Sequence, residues 1–566
     1  MDFPSDTEHF DIHYVPSDEE ILAIRNAVRK GEEALKKIEG RMEELRQELR
    51  ALEEHREIQK KEVNKQKNLL APIQRVNVDV LKSIFLSVLV DDLRISANHP
   101  AVVISHVCHR WREVALATKL LWRHLHVRIP SYPWSSREES GWRVKVVDLV
   151  QMTKLWISRS GNSHLSVVII DPGITLVTIG EDTGAFVTEC IEFNELVGII
   201  CSSSTRWKDL YLRIGFPQAW FPNFPTARLL TVPPQSTPAL TTVELHCDIT
   251  EFQQENALNE HMVSSTNIFS APTLRSLRIG SQVMFHNLMR MPVVWSNLEH
   301  LFFDGYPTES PNRFDAAQAL TLFEECTNLA TCYLALQRDV PIPTGRAPVQ
   351  LQRLRELVLT PHTSHLPKGF APLLILPSLR KLEVVTGYGE RTPREYEGSG
   401  LCEFFERFSP TLEDVTFCYK FLTQTGLQDC LGRLPNVTSL GLVSDDRVKI
   451  AADARVANLN SDLFKHLSPE FDETGTAVTQ LPPCPRIEVF KFGALEGEVA
   501  KDALVDFIEA RRRDVTNRSF QSGLALLREV DCNHYCFQAT HPTQALRDRG
   551  IDMKAFSLTN WCDCSS

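Results

Sequence analysis

From Ile21 onward, apolar residues recur at alternating steps of three and four: Ile21, Ile24, Val28, Gly31, Leu35, Ile38, Met42, Leu45, Leu49 and Leu52. That spacing holds one seam on one side of a helix. It predicts a coiled-coil helix over 17–70, with Leu35, Ile38, Met42, Leu45, Leu49 and Leu52 as its pairing residues, after a flexible N-terminus over 1–16. The seam lapses at Arg56 and Gln59 and resumes at Val63. Glu32 with Lys36, Glu33 with Lys37 and Glu57 with Lys61 stand Glu first at i, i+4, each adding roughly a few tenths of a kcal/mol to the outer face. A homodimer and packing on the chain's own body would both satisfy such a seam.

Pro72 has no amide hydrogen and ends the helix, so a new unit begins there. Ile73, Val76, Val80, Leu81, Ile84, Phe85, Val88 and Leu89 follow at helical spacing. After the polar break DDLRISANHP a second run passes through Val103, Ile104, Val107, Cys108, Trp111 and Val114, and a third short segment holds Leu120, Leu121, Trp122 and Leu125. These predict three short helices over 71–129, whose core is small enough to need completion by a partner. PSYPWSSREESG at 130–141 reads as a linker or surface loop, leading to a connecting helix that ends by Gly161.

Beyond Gly161 one pattern, apolar-x-x-apolar-x-apolar, returns twelve times. It begins at Leu165, Val168, Ile170, then Trp207, Leu210, Leu212; Leu240, Val243, Leu245; Leu274, Leu277, Ile279; and Leu298, Leu301, Phe303. It continues through Leu329, Cys332, Leu334; Leu354, Leu357, Leu359; Leu379, Leu382, Val384; and Leu412, Val415, Phe417. It closes with Val437, Leu440, Leu442; Ile487, Phe490, Phe492; and Leu527, Val530, Cys532. From the third instance to the tenth the offsets are 34, 24, 31, 25, 25, 33 and 25 residues. Amphipathic helix patterns lie between, at 316–326, 401–408, 427–434 and 504–510. The fold class is therefore α/β, with an irregular leucine-rich-repeat-like solenoid over 161–540 and a C-terminal tail over 541–566. A solenoid follows because one such unit cannot bury its apolar side alone. The asparagine that usually follows the strand motif is mostly missing, and 443–486 reads as an insertion.

The 566 residues are 43% apolar and 23% charged, as in ordinary globular domains. No apolar run approaches the ~18 residues that cross a bilayer. Charge is uneven. Residues 17–67 carry 13 acidic and 13 basic groups, whereas 71–129 carry eight basic and four acidic, and the rest of the net −11 lies on the body. An acidic body disfavours nucleic acid as a partner. Fourteen single cysteines without a CxxC pair argue for a reducing compartment, cytoplasmic or nuclear, and against a zinc framework. Phosphate-loop, G-x-S-x-G and H-E-x-x-H signatures are missing, so no catalytic residue, cofactor or metal is expected. His362 with His365, and Cys532, His534, Cys536, Cys562 and Cys564, are the densest His/Cys groups, and both read as surface or packing residues.

APIQRVNVDVLKSIFLSV followed by HPAVVISHVCHRWREVALATKLLWRHLHV resembles the F-box of a large group of proteins from mushroom-forming fungi. Ile84-Phe85, Val107-Cys108, Trp111-Arg112 and Leu121-Trp122 match that pattern, while Val76-Asn77-Val78-Asp79 departs from its Leu-Pro-x-Glu. WISRSGNSHLSVVII and STRWKDLYLRI are similar to segments that follow F-boxes in the same proteins. The resemblance implies docking on the acidic linker subunit of an SCF-type cullin-RING ubiquitin ligase. Pro72, Val76, Val80, Leu81, Ile84, Phe85, Val103, Ile104, Val107 and Trp111 are the contact candidates. The repeat body would then bind a protein substrate. Alternation along each strand sends the intervening residues to the other face: Asp209, Tyr211, Arg213, Glu244, His246, Arg278, His300, Phe302, Asp304, Tyr333, Glu356, Lys381, Glu383, Asp414, Lys491, Glu529 and Asp531. A coiled-coil scaffold outside any ligase, or an enzyme with an unrecognised site, are the rival expectations.

Overall fold

The computed structural model describes residues 15, 17–70, 72–89, 94–132, 136–172, 186–215, 223–248, 265–280, 288–304, 314–336, 342, 345–361, 366–385, 400–443, 456–473, 478–493, 498–513, 523–533, 543–552 and 556–561. The chain divides into two compact units, Met1–Ile84 and Phe85–Ser566. The division falls within the helix Val78–Ser87, inside the stretch expected to form one three-helix block.

The smaller unit holds one 53-residue helix, Asp18–Leu70. It starts with a capping box: the Ser17 amide and hydroxyl both donate to Glu20 Oε2 at 2.8 Å, and the Glu20 amide donates to Ser17 Oγ at 3.4 Å. The helix stops short of Pro72, as the proline requires. Leu35, Ile38, Met42, Leu45, Leu49 and Leu52 are 46–60% exposed, so the seam faces solvent. Asn77, at the point where the sequence departs from the resembled pattern, caps the next helix: its Oδ1 accepts from the Asp79 amide at 3.1 Å and its carbonyl from the Leu81 amide at 3.0 Å.

In the larger unit, the helices Pro100–Val107 and His109–Ala117 are capped by His99 Nδ1, accepting from the Ala101 amide at 3.1 Å, and by Cys108 Sγ, accepting from the Trp111 amide at 3.5 Å. The Val-Cys-x-x-Trp phrase is thus a break between two helices, with cysteine as the cap. Buried Trp122 donates from Nε1 to the Ala115 carbonyl at 2.9 Å and meets Trp156 edge-on at 4.8 Å. Trp156 belongs to the 25-residue helix Ser136–Ser160, so half of the expected linker is helical.

The strands are β1 (His124–Arg128), β2 (Leu165–Ile170), β3 (Trp207–Gly215), β4 (Thr242–Asp248), β5 (Ser276–Gly280), β6 (His300–Asp304), β7 (Thr331–Leu336), β8 (Val349–Gln350), β9 (Glu356–Pro361), β10 (Leu374–Ile375), β11 (Lys381–Val384), β12 (Asp414–Cys418), β13 (Ser439–Val443), β14 (Glu470–Phe471), β15 (Val478–Gln480), β16 (Val489–Phe492), β17 (Glu529–Asn533) and β18 (Ser557–Trp561). Among the described residues fourteen of them make one open parallel sheet in the order β1-β2-β3-β4-β5-β6-β7-β9-β11-β12-β13-β16-β17-β18. The remaining four form two small pairs, β8–β10 and β14–β15. The fold is therefore mixed α/β around a large parallel sheet that does not close.

Backbone hydrogen bonds explain the motif's uneven spacing. The amides of Glu299 and His300 both donate to the Arg275 carbonyl, at 2.7 and 3.0 Å. Ala330 and Thr331 do the same to Glu299, Arg355 and Glu356 to Ala330, and Arg380 and Lys381 to Arg355. The series runs from Thr241 through to Glu488. Two successive amides meeting one carbonyl at the entry to each strand take up the extra residue of apolar-x-x-apolar, and all three apolar side chains are buried. Eleven of the twelve motif triplets are wholly buried.

The first triplet is the exception. Leu165, Val167 and Ile169 are buried in β2, while Val168 and Ile170 lie on the opposite face. Here plain alternation from Leu165 applies, and the register shift appears only in pairing with β3. Two boundaries also move. Leu125 was expected in a third helix but lies in β1, and the expected C-terminal tail supplies the helix Thr543–Asp548 and the last strand, β18. β1 and β18 are the two edge strands of the sheet.

Within the expected insertion, Cys484 has a left-handed backbone, φ 49°. Wholly buried Arg511, on the helix Glu498–Arg512, explains how it is held: the guanidinium donates to the carbonyls of Leu467, Pro483, Cys484 and Pro485 at 3.0–3.2 Å. Arg511→Met should leave those acceptors short of donors and lower stability by about 3 kcal/mol, read as a drop in the denaturant midpoint. A midpoint unchanged within error would show that water replaces the guanidinium freely.

Candidate functional site: the polar face of the sheet

The register places the expected recognition residues in three rows on one face. The middle row passes through Tyr211, Glu244, Arg278, Phe302, Tyr333, Val358, Glu383, Thr416, Gly441, Lys491 and Asp531 as direct partners from strand to strand. Asp209, His300, Glu356, Lys381, Asp414 and Glu529 lie in the row toward the strand starts. Arg213, His246 and Asp304 lie in the row beyond, with Gly280 between the last two. Arg213 and Lys491 are exposed and the other expected residues half-exposed, apart from Asp304, whose side chain lies outside the described residues. Parallel sheets are usually covered on both faces. This face keeps its solvent access.

From β4 to β11 the side chains join into one chain of contacts. His246 Nε2 lies 2.8 Å from Glu244 Oε1, and Arg278 Nε lies 3.8 Å from the same oxygen. The Arg278 guanidinium sits over the Phe302 ring at 4.2 Å, and Phe302 meets Tyr333 edge-on at 4.7 Å. Tyr333 Oη donates to Glu356 Oε1 at 2.9 Å, Lys381 Nζ donates to that oxygen at 2.6 Å, and Lys381 also approaches Glu383 at 3.9 Å. Tyr211 flanks the series, 5.4 Å from the His246 ring. The acidic excess counted along the sequence is therefore partly neutralised on the face itself.

Burial, and then the Glu356 carboxylate, push the Tyr333 phenol up to about 12. Burial alone would lower Lys381, but the hydrogen bond to Glu356 and its charge hold it above the usual lysine range. Glu383 is raised by burial above all, with Asp414 and Glu356 adding to the shift and Lys381 opposing it. Such a surface presents ring edges, amphipathic cations and a raised carboxyl. Elsewhere, burial pushes Cys201 up to about 11 and Cys326 and Cys484 up to about 12, so these thiols stay protonated.

Several residues escaped the sequence reading. Gly280 is one: a Cβ there would stand 2.0 Å from His246 Nδ1, so glycine makes the space in which that imidazole lies. A side-chain ladder is another. Asn297 Nδ2 donates to the Pro272 carbonyl at 3.0 Å, Asn328 Nδ2 to Ser296 at 2.8 Å, Ser378 Oγ to Gln352 at 2.7 Å and Asn436 Nδ2 to Pro410 at 3.3 Å. The signal was an Asn, Ser or Thr immediately before the first apolar residue of many triplets.

The expected linker-contact residues divide between core and surface. In the smaller unit Leu81 is buried, Val76 is partly buried, and Val80 and Ile84 are 51% and 38% exposed; the Pro72 side chain lies outside the described residues. In the larger unit Phe85 and Ile104 are buried, and with Leu81 they are corrected as surface contacts, since each packs the fold. Trp111 is partly buried against Phe85, ring centroids 5.0 Å apart, while Val103 and Val107 are 51% and 58% exposed. Among the described residues no cluster of three or more His, Cys, Asp or Glu could hold a metal ion, and no helix is long and apolar enough to cross a membrane. Cys532 is buried in β17, whereas His362, His365, His534, Cys536, Cys562 and Cys564 lie outside the described residues. The chain matches no protein-family model and none of the curated proteins compared with it.

A carboxyl whose pKa is raised on folding holds its proton more tightly in the folded state. Its contribution to stability is then full in acid and is lost as pH rises through the raised value. Glu383→Gln cannot ionise, so its unfolding midpoint relative to the parent should be higher at pH 7 than at pH 4. A difference independent of pH would mean that Lys381 and Lys491 already balance the charge.

Proposed function

We propose that this chain is a substrate-holding adaptor of an SCF-type cullin-RING ubiquitin ligase, acting in the cytosol or nucleus. Residues 71–129 serve as an F-box that docks the acidic linker subunit. The sheet, read as an irregular leucine-rich-repeat-like solenoid, holds a protein substrate on its polar face while other subunits carry out ubiquitin transfer. The supporting observation is the division just described: among the expected linker-contact residues, Leu81, Phe85 and Ile104 pack the fold while Val80, Ile84, Val103 and Val107 stay exposed. Exposed aliphatic side chains supply affinity, and a segment with eight basic and four acidic groups supplies attraction to an acidic partner. The exposed seam of Asp18–Leu70 favours a second reading, a coiled-coil scaffold that uses the same segment outside a ligase. Co-purification of a cullin with the full chain separates the two.

Ile84 and Val107 are the substitutions that spare the core. Each aliphatic group is worth about 1.5–3 kcal/mol when fully buried. Ile84→Asp with Val107→Asp should therefore weaken capture of the linker more than about tenfold while the unfolding midpoint stays put. Undiminished capture by this folded variant would remove the ligase reading. Changing Tyr211, Phe302 and Tyr333 together to Ala should abolish substrate capture and leave linker capture intact, measured by affinity purification and mass spectrometry with and without proteasome inhibition.

A further inference from the structure

The seam of the helix Asp18–Leu70 carries two opposite defects. Gly31 supplies no side chain, and nothing lies within 4 Å of the place its Cβ would occupy. Arg56 puts a long cation where an aliphatic residue belongs. The two stand at equal distances from the midpoint between Glu43 and Glu44. So do Leu35 and Leu52, Ile38 and Leu49, and Met42 and Leu45. We propose that this helix pairs with the same helix of a second copy, antiparallel and two-fold symmetric about that midpoint, with Met42 layered on the partner's Leu45.

In a two-fold pair residue i meets j and j meets i. Each Arg56 then lays its stem beside the partner's Gly31, filling both defects at once. Its guanidinium falls between its own Glu53 and the partner's Glu32, and relieves the like-charge contact of those two carboxylates. A parallel pair does the opposite: Arg56 faces Arg56 across the seam, and two Gly31 residues face each other over a void. At the centre, a parallel pair sets Arg41 beside the partner's Arg46, whereas the antiparallel pair sets Arg41 beside the partner's Glu48 and Glu39 beside the partner's Arg46.

Flanking charges near the ends favour the parallel form, through Glu20 with Arg25 and Glu62 with Lys67, so the seam decides the orientation. Residues 17–67 carry 13 acidic and 13 basic groups, so two copies meet without net repulsion. Arg41 leans on Glu44 at 2.8 Å and Arg46 on Glu43 at 3.7 Å in the single helix. Such exposed pairs contribute little and exchange readily.

The test uses the full chain. A benzophenone side chain at position 28 or 35 is photolysed in a mixture of isotope-labelled and unlabelled protein, and the captured peptide is identified by mass spectrometry. Label crossing from copy to copy, with capture around the partner's Gln59 from position 28 and around the partner's Leu52 from position 35, is the expected result. Sedimentation should give twice the 64.3 kDa of one chain. Leu45→Glu should raise the dimer dissociation constant more than about a hundredfold without moving the thermal transition of the body. Capture around the same position in the other copy would overturn the orientation. Capture within residues 85–566, or a monomer at high micromolar concentration, would overturn the pairing itself.

Discussion

Two successive amides donating to one carbonyl, repeated from Thr241 to Glu488, set the terms for the rest of the larger unit. A parallel sheet needs each strand to enter in step with its neighbour, and here the step is fixed before the strand begins. The shared carbonyl takes up one residue, and three apolar side chains separated by unequal gaps are all buried. Asn297, Asn328, Ser378 and Asn436 reinforce the step from their side chains, each reaching a carbonyl of the preceding unit. Between these points the connections can vary in length, because none of them has to set the register.

One face of the sheet is filled by what the connections bring to it. Phe405 packs on Phe417, and Phe464 and Phe507 on Phe490, all from intervening helices. The other face receives every second side chain, and there a polar network forms instead of a core. Its members hold one another: Glu356 accepts from both Tyr333 and Lys381, and Arg278 serves Glu244 and the Phe302 ring at once. A face organised this way is held by its own contacts, which under the proposed reading reduces the entropy lost when a substrate settles on it.

The same economy marks the helical segments near the N-terminus. Cys108 ends one helix and begins the next, and Asn77 starts its helix, so each break in the pattern is also a cap. The aliphatic groups left outside, Val80 and Ile84 in one unit and Val103 and Val107 in the other, are those the fold has no use for.

The sequence by itself determined most of the register. Eleven triplets from Trp207 to Cys532 read correctly because alternation puts the last two apolar residues of each on one face, a local property of the strand, and the first is buried beside them. It also determined the long helix and its end at Pro72, since heptad spacing and the missing amide hydrogen act within a few residues. What it could not decide depended on neighbours far along the chain. β2 looked like the other triplets, but its register is set by pairing with β3, where the shift falls between Leu165 and Ser166. β1 and β18 are the edge strands, each paired on one side only, β1 with β2 and β18 with β17. The link from His246 through Tyr333 to Glu383 joins residues of six strands that are separated along the chain, and only the register between neighbouring strands brings each side chain beside the next.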